Sequence, residues 1–596
     1  MNNIQNTYAL LNQQLAQSKK LLKSKNKGFS LVRLVVALFG LWCLYQAVIS
    51  TFWLWPFLAF CSLVFFLFLV KKHDGLKKEL SLTEAKIEMV VIELGYLKGN
   101  LPTQFEQGAE FVESAHGFAH DLDLFGVQSF FHHINRTFTL RGKLNLAEKL
   151  KHEDLPTSVA EQQKALKELA NLPEWCIGFR ARGHLLEDDQ QLNQKLANWL
   201  KRTTSLTFLS HPLLLIPLAS LAILLLLHWL WQPTLQHFYW FFYSFLGNLV
   251  ITFSSAKAIS RQYKALNNLA KPLFGISHLL KHLEQQRFKS GFLQRWLNPL
   301  QESGQSPSQS LYKLGKIVNA FDQLNNPVAL LFLNGLMHYH LHSLRKLQQW
   351  KQNHQTQLGH WLAILAELEA QVSMATYAAN HPQFSYPQIL EEPGFRAEAL
   401  GHPLLSADKA VCNHLELKDW RYGILTGSNM SGKSTFLKTV GLSLVMAQIG
   451  LPVFARTLAV FPFRIFTSMK LVDSITKEES YFQAEVLRLR YIKEQLQAPR
   501  PAFILLDEIL RGTNSDDKKH GTQLFMEQLM AVPHYGLLAT HDIDIAELSE
   551  SHPSVFTALY FESKVVQGKL VFDYKLRKGV CTTPNATDLM RSYGII

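Results

Sequence analysis

Residues Gly427 to Ser434, "GSNMSGKS", have the spacing of a loop that binds nucleotide phosphates. In the pattern Gly-x-x-x-x-Gly-Lys-Ser, successive backbone N–H groups converge on phosphate oxygens, the lysine binds the β and γ phosphates, and the hydroxyl binds Mg²⁺. An apolar strand, "YGILTG", is predicted before the loop and a helix, "STFLKTVGLSLVMAQIG", after it, so the helix N-terminus would face the anion. A chance match in a Gly/Ser-rich turn is the alternative. The predicted nucleotide contacts are Gly427, Ser428, Asn429, Met430, Ser431, Gly432, Lys433, Ser434 and Thr435.

Two further strand ends carry side chains that complete this chemistry. The apolar strand 503–506 ends in Asp507 and Glu508, within "PAFILLDEILRGTN". An acid at the end of a buried strand is costly unless a cation or water receives it. We therefore expect Asp507 to share Mg²⁺ with Ser434, and Glu508 to be the general base for the attacking water. The alternative is an ordinary strand end with two solvated acids. A third strand, "YGLLAT", leads to His541, which is predicted to contact the γ-phosphate.

The motifs "TGSNMSGKST", "LLDEILRGTNSDD" and "LLATHD" resemble the ATPase domain of the MutS family, the mismatch-repair ATPases within the ABC class of P-loop proteins. This resemblance implies an enzyme that hydrolyses ATP with Mg²⁺, is stimulated by DNA, and forms a homodimer through its ATPase domains. The stretch "FRIFTSMKLVDSITKEESYFQAEV" resembles the family segment that carries a serine to the partner's γ-phosphate. Ser480 is the matching position, and the resemblance implies that it acts in trans.

The resemblance extends more weakly upstream. Residues 121–150 are similar to the helical core of MutS proteins, and residues 361–389 resemble the helix that leads from this core into the ATPase. A generic amphipathic bundle is the alternative. Mismatch-repair MutS proteins also have an N-terminal α/β domain with a Phe-x-Glu wedge. Here Phe111-x-Glu113 has no such surroundings and is interpreted as a chance match. We therefore expect a variant that lacks the mismatch-recognition domain.

Two long runs, 34–70 and 203–256, contain no Asp, Glu, Lys or Arg. Each suits two membrane spans, since one span needs about 20 apolar residues. The predicted spans lie near 34–50, 52–70, 213–231 and 238–255. Basic residues flank both sides of each pair, which predicts a multi-pass protein of the inner (cytoplasmic) membrane with its ATPase domain in the cytoplasm and with membrane lipid as a partner. We interpret the first run as an anchor and not as a cleaved signal peptide. Buried helices of a soluble protein are the alternative.

The net charge of +13 does not establish nucleic-acid binding. Many of the lysines flank the predicted spans, where anionic lipid accounts for them. The five cysteines have no metal-ligand spacing and indicate neither zinc nor a disulfide framework.

The expected fold class is multi-domain, with two transmembrane helical hairpins, an all-α MutS-like core and a C-terminal α/β P-loop ATPase domain. The predicted units are a basic N-terminal segment (1–33), hairpin 1 (34–70), the first part of the helical core (71–202), hairpin 2 (203–256), the second part of the core with its lever (257–395) and the ATPase domain (396–596).

Three functions are compatible with these features. The first is a membrane-anchored MutS-type ATPase that uses ATP to gate binding of DNA, duplex or branched, without strong mismatch specificity. The second is an ATP-driven conformational switch that acts on membrane or protein partners without nucleic acid. The third, an ABC-type transporter, fits less well, because an "LSGGQ"-type signature is absent and the spans are not arranged like transporter halves. Whether DNA changes the ATPase rate separates the first two.

Overall fold

The computed structural model describes residues 2–50, 52–103, 106–113, 115–152, 158–186, 190–201, 212–301, 306–417, 419–470, 481–566 and 569–580. The helices are α1 (Asn2–Ile49), α2 (Leu54–Leu97), α3 (Phe130–Ile134), α4 (Leu140–Lys151), α5 (Val159–Ala170), α6 (Pro173–His184), α7 (Gln190–Lys201), α8 (Pro212–Trp231), α9 (Leu235–Ser254), α10 (Ala256–Leu266), α11 (Ala270–Glu284), α12 (Gly291–Gln301), α13 (Pro307–Phe321), α14 (Pro327–Met337), α15 (Tyr339–Asn380), α16 (Lys433–Gln448), α17 (Tyr481–Gln495), α18 (Ser515–Met530) and α19 (Leu548–Ser551). The strands are β1 (Gln388–Ile389), β2 (Phe395–Leu400), β3 (Asn413–Leu417), β4 (Tyr422–Thr426), β5 (Thr457–Val460), β6 (Arg464–Ser468), β7 (Ala502–Asp507), β8 (Tyr535–Ala539), β9 (Phe556–Val566) and β10 (Lys569–Lys578).

Hairpin 1 consists of α1 and α2, which have 48 and 44 residues. Both helices are more than twice the length of a span, so each continues beyond its apolar part by roughly 40 to 50 Å. The segment predicted as a separate basic unit, 1–33, is part of α1 from Asn2 onward. Near its start, Tyr8 packs with Met89 and Val90 of α2 and with Ile177 of α6. The hairpin therefore forms a stalk whose polar end rests on the helical body.

Hairpin 2 consists of α8 and α9, with 20 residues each. Among the described residues, three helices are long and apolar enough to cross a membrane: Asn3–Ile49, Leu54–Leu97 and Leu213–Trp231. Helix α9, predicted as the fourth span, has the length but is not among the three, because its tyrosine, tryptophan, histidine and asparagine residues lower its hydropathy. The short apolar helix α14, which the sequence analysis did not identify, packs against both α8 and α9.

The helical body is organised around α15, a helix of 42 residues that begins directly after α14 and packs on α4, α5 and α13. Its last residue, Asn380, meets the stalk. There the buried carboxylate of Glu93 on α2 accepts hydrogen bonds from Arg136 Nε (2.8 Å) and from Asn380 Nδ2 (2.7 Å), and it pairs with Arg180 Nη1 at 2.6 Å. Since a buried charge is tolerated only when it is paired, this cluster holds the stalk, the body and the end of α15 together.

The C-terminal part contains two sheets. One has four strands in the order β1-β5-β2-β3, and the other has six in the order β10-β9-β4-β8-β7-β6. In the larger sheet, β6, β7, β8, β4 and β9 are parallel, and β10 pairs antiparallel with β9 at the edge. The smaller sheet already begins at Gln388, ahead of the domain boundary predicted at residue 396. The carboxyl ends of β4, β7 and β8 lie side by side at one edge of the larger sheet.

The helical body contacts the C-terminal domain through Asp121. Its buried carboxylate accepts hydrogen bonds from Thr467 Oγ1 (2.7 Å), Met469 N (3.0 Å) and Lys470 N (3.0 Å), at the end of β6. Three donors to one buried carboxylate make a directional joint between the two parts.

The two residues after Asp121 contact the helix that follows the phosphate loop. Leu122 packs so closely on Gly441 of α16 that a Cβ built there would lie 2.5 Å from Leu122 Cδ2. Asp123 pairs with Lys438 Nζ of α16 at 2.6 Å. The segment 121–123 therefore connects the helical body directly to the nucleotide-binding region.

Candidate nucleotide site

The predicted phosphate loop joins the buried strand β4 to helix α16. Gly427 and Gly432 have φ angles of +146° and +102°, a region of backbone conformation that glycine adopts at little cost. A Cβ at Gly432 would also lie 3.0 Å from the ring of Tyr574. Both glycines of the pattern are thus required by the shape of the loop. The N-terminus of α16 begins at Lys433, as the pattern predicts.

Lys433 is buried within this loop. Its ammonium donates hydrogen bonds to the carbonyl oxygens of Gly427 (2.8 Å) and Ser428 (3.1 Å), and it lies 3.4 Å from His541 Nε2. The lysine therefore reaches from the phosphate loop to the end of β8. A positive charge held there is suited to neutralise a phosphate.

Asp507 ends β7 as a buried carboxylate. Burial raises its pKa, and a hydrogen bond from Ser434 acts in the opposite direction. Within the described part of the chain, its Oδ1 atom has no hydrogen-bond partner. An unsatisfied carboxylate oxygen beside a hydroxyl is a donor set that fits Mg²⁺, which prefers hard oxygen ligands. The structure therefore brings together the two residues that the sequence assigned to the metal.

Glu508 directly follows, with a φ of +50°. Its Oε1 lies 2.5 Å from His541 Nε2, and its Oε2 lies 3.2 Å from Arg511 Nε. The hydrogen bond from His541, with a further contribution from the charge of Arg511, lowers the pKa of Glu508 to about 2. The carboxylate is therefore ionised and engaged. His541 was predicted to contact the γ-phosphate, and here it contacts the predicted base.

Beside the loop is a cavity of about 440 Å³ that sequence reasoning did not anticipate. Besides loop residues, its lining includes Leu400, His402, Leu405, Val411 and Tyr574. Burial lowers the pKa of His402 to about 4, so its imidazole is neutral at physiological pH. A largely apolar wall with a neutral imidazole can accommodate a planar base next to bound phosphates. Tyr574 comes from an irregularity of β10 between Phe572 and Leu576, which left no recognisable signal in the sequence.

Glu485 of α17 is another residue near the site that was not predicted from the sequence. Its carboxylate is buried, which raises its pKa, and the nearby backbone N–H groups of Leu510 and Arg511 act in the opposite direction. Leu510 has a φ of +63°, which is strained for a leucine. Glu485 therefore supports the strained turn that follows Glu508.

Two other residues were considered in the sequence, Ser480 and Phe111. Ser480, expected to act in trans, lies outside the described residues. Phe111 packs against Phe125 and Phe131, with ring centroids 5.6 Å and 5.8 Å away. Its aromatic ring is thus in contact with other rings of the helical body; the sequence analysis interpreted its motif as a chance match.

Comparison with known proteins first indicates the class of protein to which the C-terminal part is similar. Residues 423–595, which include the phosphate loop and both carboxylates, match the family model of MutS domain V. The chain is 30% identical over 236 residues to the DNA mismatch repair protein MSH4 of Arabidopsis thaliana, covering 38% of this chain and 29% of the relative. It is 35% identical over 243 residues to the DNA mismatch repair protein MutS of Thermotoga neapolitana, with 39% and 29% covered. It is 32% identical over 195 residues to the human MutS protein homolog 4, with 31% and 20% covered.

These matches support the MutS family for the C-terminal part. The chain spans less than a third of the length of each of these three relatives. Residues 1–422 lie outside the family-model match.

Proposed function

We propose that this protein is a MutS-type ATPase anchored in the cytoplasmic membrane, which hydrolyses ATP in the cytoplasm and uses it to gate binding of DNA. The observation that carries the ATPase is the convergence of Lys433, Ser434, Asp507, Glu508 and His541 at one edge of the sheet. The names of the relatives, which include DNA mismatch repair proteins, support the DNA partner. Strong mismatch specificity is not part of the proposal, since Phe111 is engaged in packing.

Different residues of the site would carry out different parts of the reaction. The loop N–H groups, the N-terminus of α16 and Lys433 bind the phosphates of ATP. Ser434 and Asp507 would hold Mg²⁺, which supplies charge neutralisation at the phosphates when bound. Glu508 orients the attacking water and accepts its proton. His541 lies 2.5 Å from Glu508 Oε1 and 3.4 Å from Lys433 Nζ, so it stands between the proposed base and the lysine that would bind the phosphates. The contact with His541 lowers the pKa of Glu508, so loss of this contact would make Glu508 a stronger base.

Membrane anchoring is supported by hairpins 1 and 2. Their apolar side chains are widely exposed to the surroundings of the protein, for example Leu38, Phe60, Leu224 and Val250. Such a surface is unfavourable in water and favourable in lipid. Basic residues flank both ends of each hairpin, which supports a cytoplasmic location for the polar parts, including the nucleotide site.

We also propose that the active form is a homodimer in which Ser480 contacts the partner's γ-phosphate. The family resemblance of the stretch around Ser480 supports this assignment. The ATPase rate per chain should then increase with protein concentration, and Ser480→Ala should lower it while ATP binding persists. A rate per chain that stays constant down to a demonstrated monomer would contradict the composite site.

The decisive experiment measures ATP binding and hydrolysis by the full chain in detergent or nanodiscs. Glu508→Gln should still bind ATP but turn over at least about 100-fold more slowly, because an amide cannot accept the proton. The control is Glu494→Gln, which changes a surface carboxylate on α17 paired with Arg490. Wild-type turnover in Glu508→Gln would remove Glu508 from the mechanism.

The DNA part is tested in the same preparation. Both a matched duplex and a G·T-mismatched duplex should raise the ATPase rate. In binding titrations at two salt concentrations, the affinity for DNA should fall steeply with salt, and the affinities for the two duplexes should differ by less than about tenfold. No response to any duplex or branched DNA, with Glu508→Gln still inactive, would instead support the second hypothesis, an ATP-driven switch that acts on membrane or protein partners.

A further inference from the structure

Helix α14 has 11 residues, "PVALLFLNGLM", which is about 16 Å of helix and roughly half the thickness of the hydrocarbon core of a bilayer. It lies in a stretch, residues 323–344, that contains no Asp, Glu, Lys or Arg. It is too short to cross a membrane. Its composition is nevertheless that of a membrane segment. Whether it lies in the membrane must therefore be inferred from the residues around it.

The partners of α14 are the helices of hairpin 2. Phe332 contacts Phe245 of α9, with ring centroids 6.1 Å apart. Gly335 allows the close approach, because a Cβ there would lie 2.2 Å from the ring of Phe245. Asn248 Nδ2 of α9 donates a hydrogen bond to the carbonyl oxygen of Gly335 at 2.8 Å. Helix α14 is thus docked along the cytoplasm-proximal half of α9, at the level of a predicted span.

Much of the apolar surface of α14 is nevertheless uncovered. Val328, Leu331, Phe332 and Met337 leave 44% to 65% of their surface exposed. Helix α14 packs on both helices of hairpin 2, whose exposed apolar side chains include Leu246 and Val250. Exposed apolar side chains in this number favour an apolar environment. Because α14 is packed against the hairpin that we place in lipid, the occupant that fits is the acyl chains of the same bilayer.

Several backbone groups at the two ends of α14 have partners within the protein, as lipid surroundings require. At the N-terminus, Asn326 Oδ1 accepts from the N–H groups of Val328 and Ala329, both at 3.1 Å, and Pro327 has no N–H. At the C-terminus, His338 adopts a left-handed conformation and its N–H donates to the carbonyl oxygen of Asn334. The Asn334 side chain in turn accepts from the N–H of His340 at 3.1 Å.

From these observations we infer that α14 is a re-entrant half-helix, inserted into the cytoplasmic half of the bilayer beside hairpin 2. The inference rests on the proposed membrane anchoring. It adds a third membrane element, and this element is joined to α15 by the single residue His338. Lipid is therefore a direct ligand of the segment that precedes the longest helix of the body.

Depth-dependent fluorescence quenching tests this inference. The five native cysteines are replaced by serine, and single cysteines are introduced as Leu331→Cys on α14, Leu246→Cys on α9 and Val127→Cys in the helical body. Each side chain is exposed. The protein is labelled with bimane and reconstituted in phosphatidylethanolamine/phosphatidylglycerol vesicles that contain lipid with a nitroxide on the acyl chain. We expect quenching at Leu331 and Leu246 at least about threefold greater than at Val127, because both lie within the hydrocarbon.

Quenching at Leu246 but not at Leu331 would overturn the re-entrant helix and leave the anchoring intact. No quenching at either position would overturn the anchoring itself. A second measurement needs no substitution: the wild-type chain is reconstituted with lipid that carries a photoactivatable diazirine at the acyl-chain end, and the labelled peptides are mapped. Label within 327–337 is expected. Label confined to the hairpins would refute the inference, even if the cysteine-free variant fails to fold.

Discussion

Replacing Asp121 by asparagine should loosen the joint between the helical body and the nucleotide domain. Asp121 is 6% exposed and accepts hydrogen bonds from Thr467, Met469 and Lys470, whereas Asp123, two residues later, is 44% exposed and pairs with Lys438 and Lys470. Asp123→Asn is therefore a matched control with the same chemistry at a solvated site. Asparagine also tolerates the positive φ of 52° found at position 123.

The magnitude follows from these contacts. Asparagine keeps one acceptor oxygen but presents an NH₂ group to a backbone N–H. A hydrogen bond to a charged group contributes about 1.5–3 kcal/mol, and a buried donor left unsatisfied costs about 1–3 kcal/mol, so we expect a loss of roughly 2–4 kcal/mol of local stability. Exposed ion pairs contribute about 0–1 kcal/mol, which sets the expectation for Asp123→Asn.

Amide hydrogen exchange of the full chain in detergent measures this difference at Met469 and Lys470. With about 1.4 kcal/mol per factor of ten, Asp121→Asn should accelerate exchange about 30-fold to 1000-fold, and Asp123→Asn less than about tenfold. Burial alone would raise the pKa of Asp121, but the hydrogen bonds from His120, Thr467 and Met469 lower it below its usual value. The protection should accordingly persist at neutral pH and be lost as the pH falls below the usual range of an aspartate. Equal effects of the two substitutions would refute the assignment of the joint to Asp121.

Three further predictions concern the nucleotide domain. Lys433→Ala should remove most ATP affinity, measured by equilibrium binding of a fluorescent ATP analogue, while Lys438→Ala on the same helix should retain it; unchanged binding in Lys433→Ala would exclude the phosphate-loop assignment. Glu485→Ala should lower kcat about tenfold with little change in KM for ATP, because the strained turn after Glu508 loses the carboxylate beside it, and Glu485→Gln should restore much of it; a change in KM alone would contradict this positioning role. Gly441→Ala should lower the melting temperature through about 1–3 kcal/mol of overpacking against Leu122, and Leu122→Ala in the same chain should recover part of that loss if the contact is responsible.

The nucleotide site could be anticipated from the sequence because its geometry is local. A strand, a glycine-containing loop and a helix are consecutive in the chain, so the position of Lys433 depends on few distant contacts. Asp507 and His541 follow the ends of neighbouring parallel strands, β7 and β8, and such ends meet at one edge of a sheet whatever the rest of the fold does.

The parts that escaped prediction depend on distant contacts. Tyr574 reaches the phosphate loop only because β10 is irregular and its neighbour β9 pairs with β4. Helix α14 has too few residues to be recognised as a span, and its placement is determined by Phe245, which lies some 80 to 90 residues earlier in the chain. The pairing of Glu508 with His541 likewise could not be predicted without the positions of their side chains, since either residue alone fits several roles.

The length of α15 has a mechanical consequence. Its 42 residues form a rod of about 60 Å that begins beside α14 and ends at Asn380, where Glu93 holds it. A rotation of about 10° around the Asn380 end displaces the other end by about 11 Å, a third of the thickness of a bilayer. In the opposite direction, a shift of about 3 Å at the membrane, comparable to the difference in thickness between two kinds of bilayer, rotates the rod by only about 3°. With hairpin 2 and α14 in the membrane as proposed, such a rod would turn a small rotation at its Asn380 end into a large movement at the lipid, whereas a small movement at the lipid would rotate it only slightly.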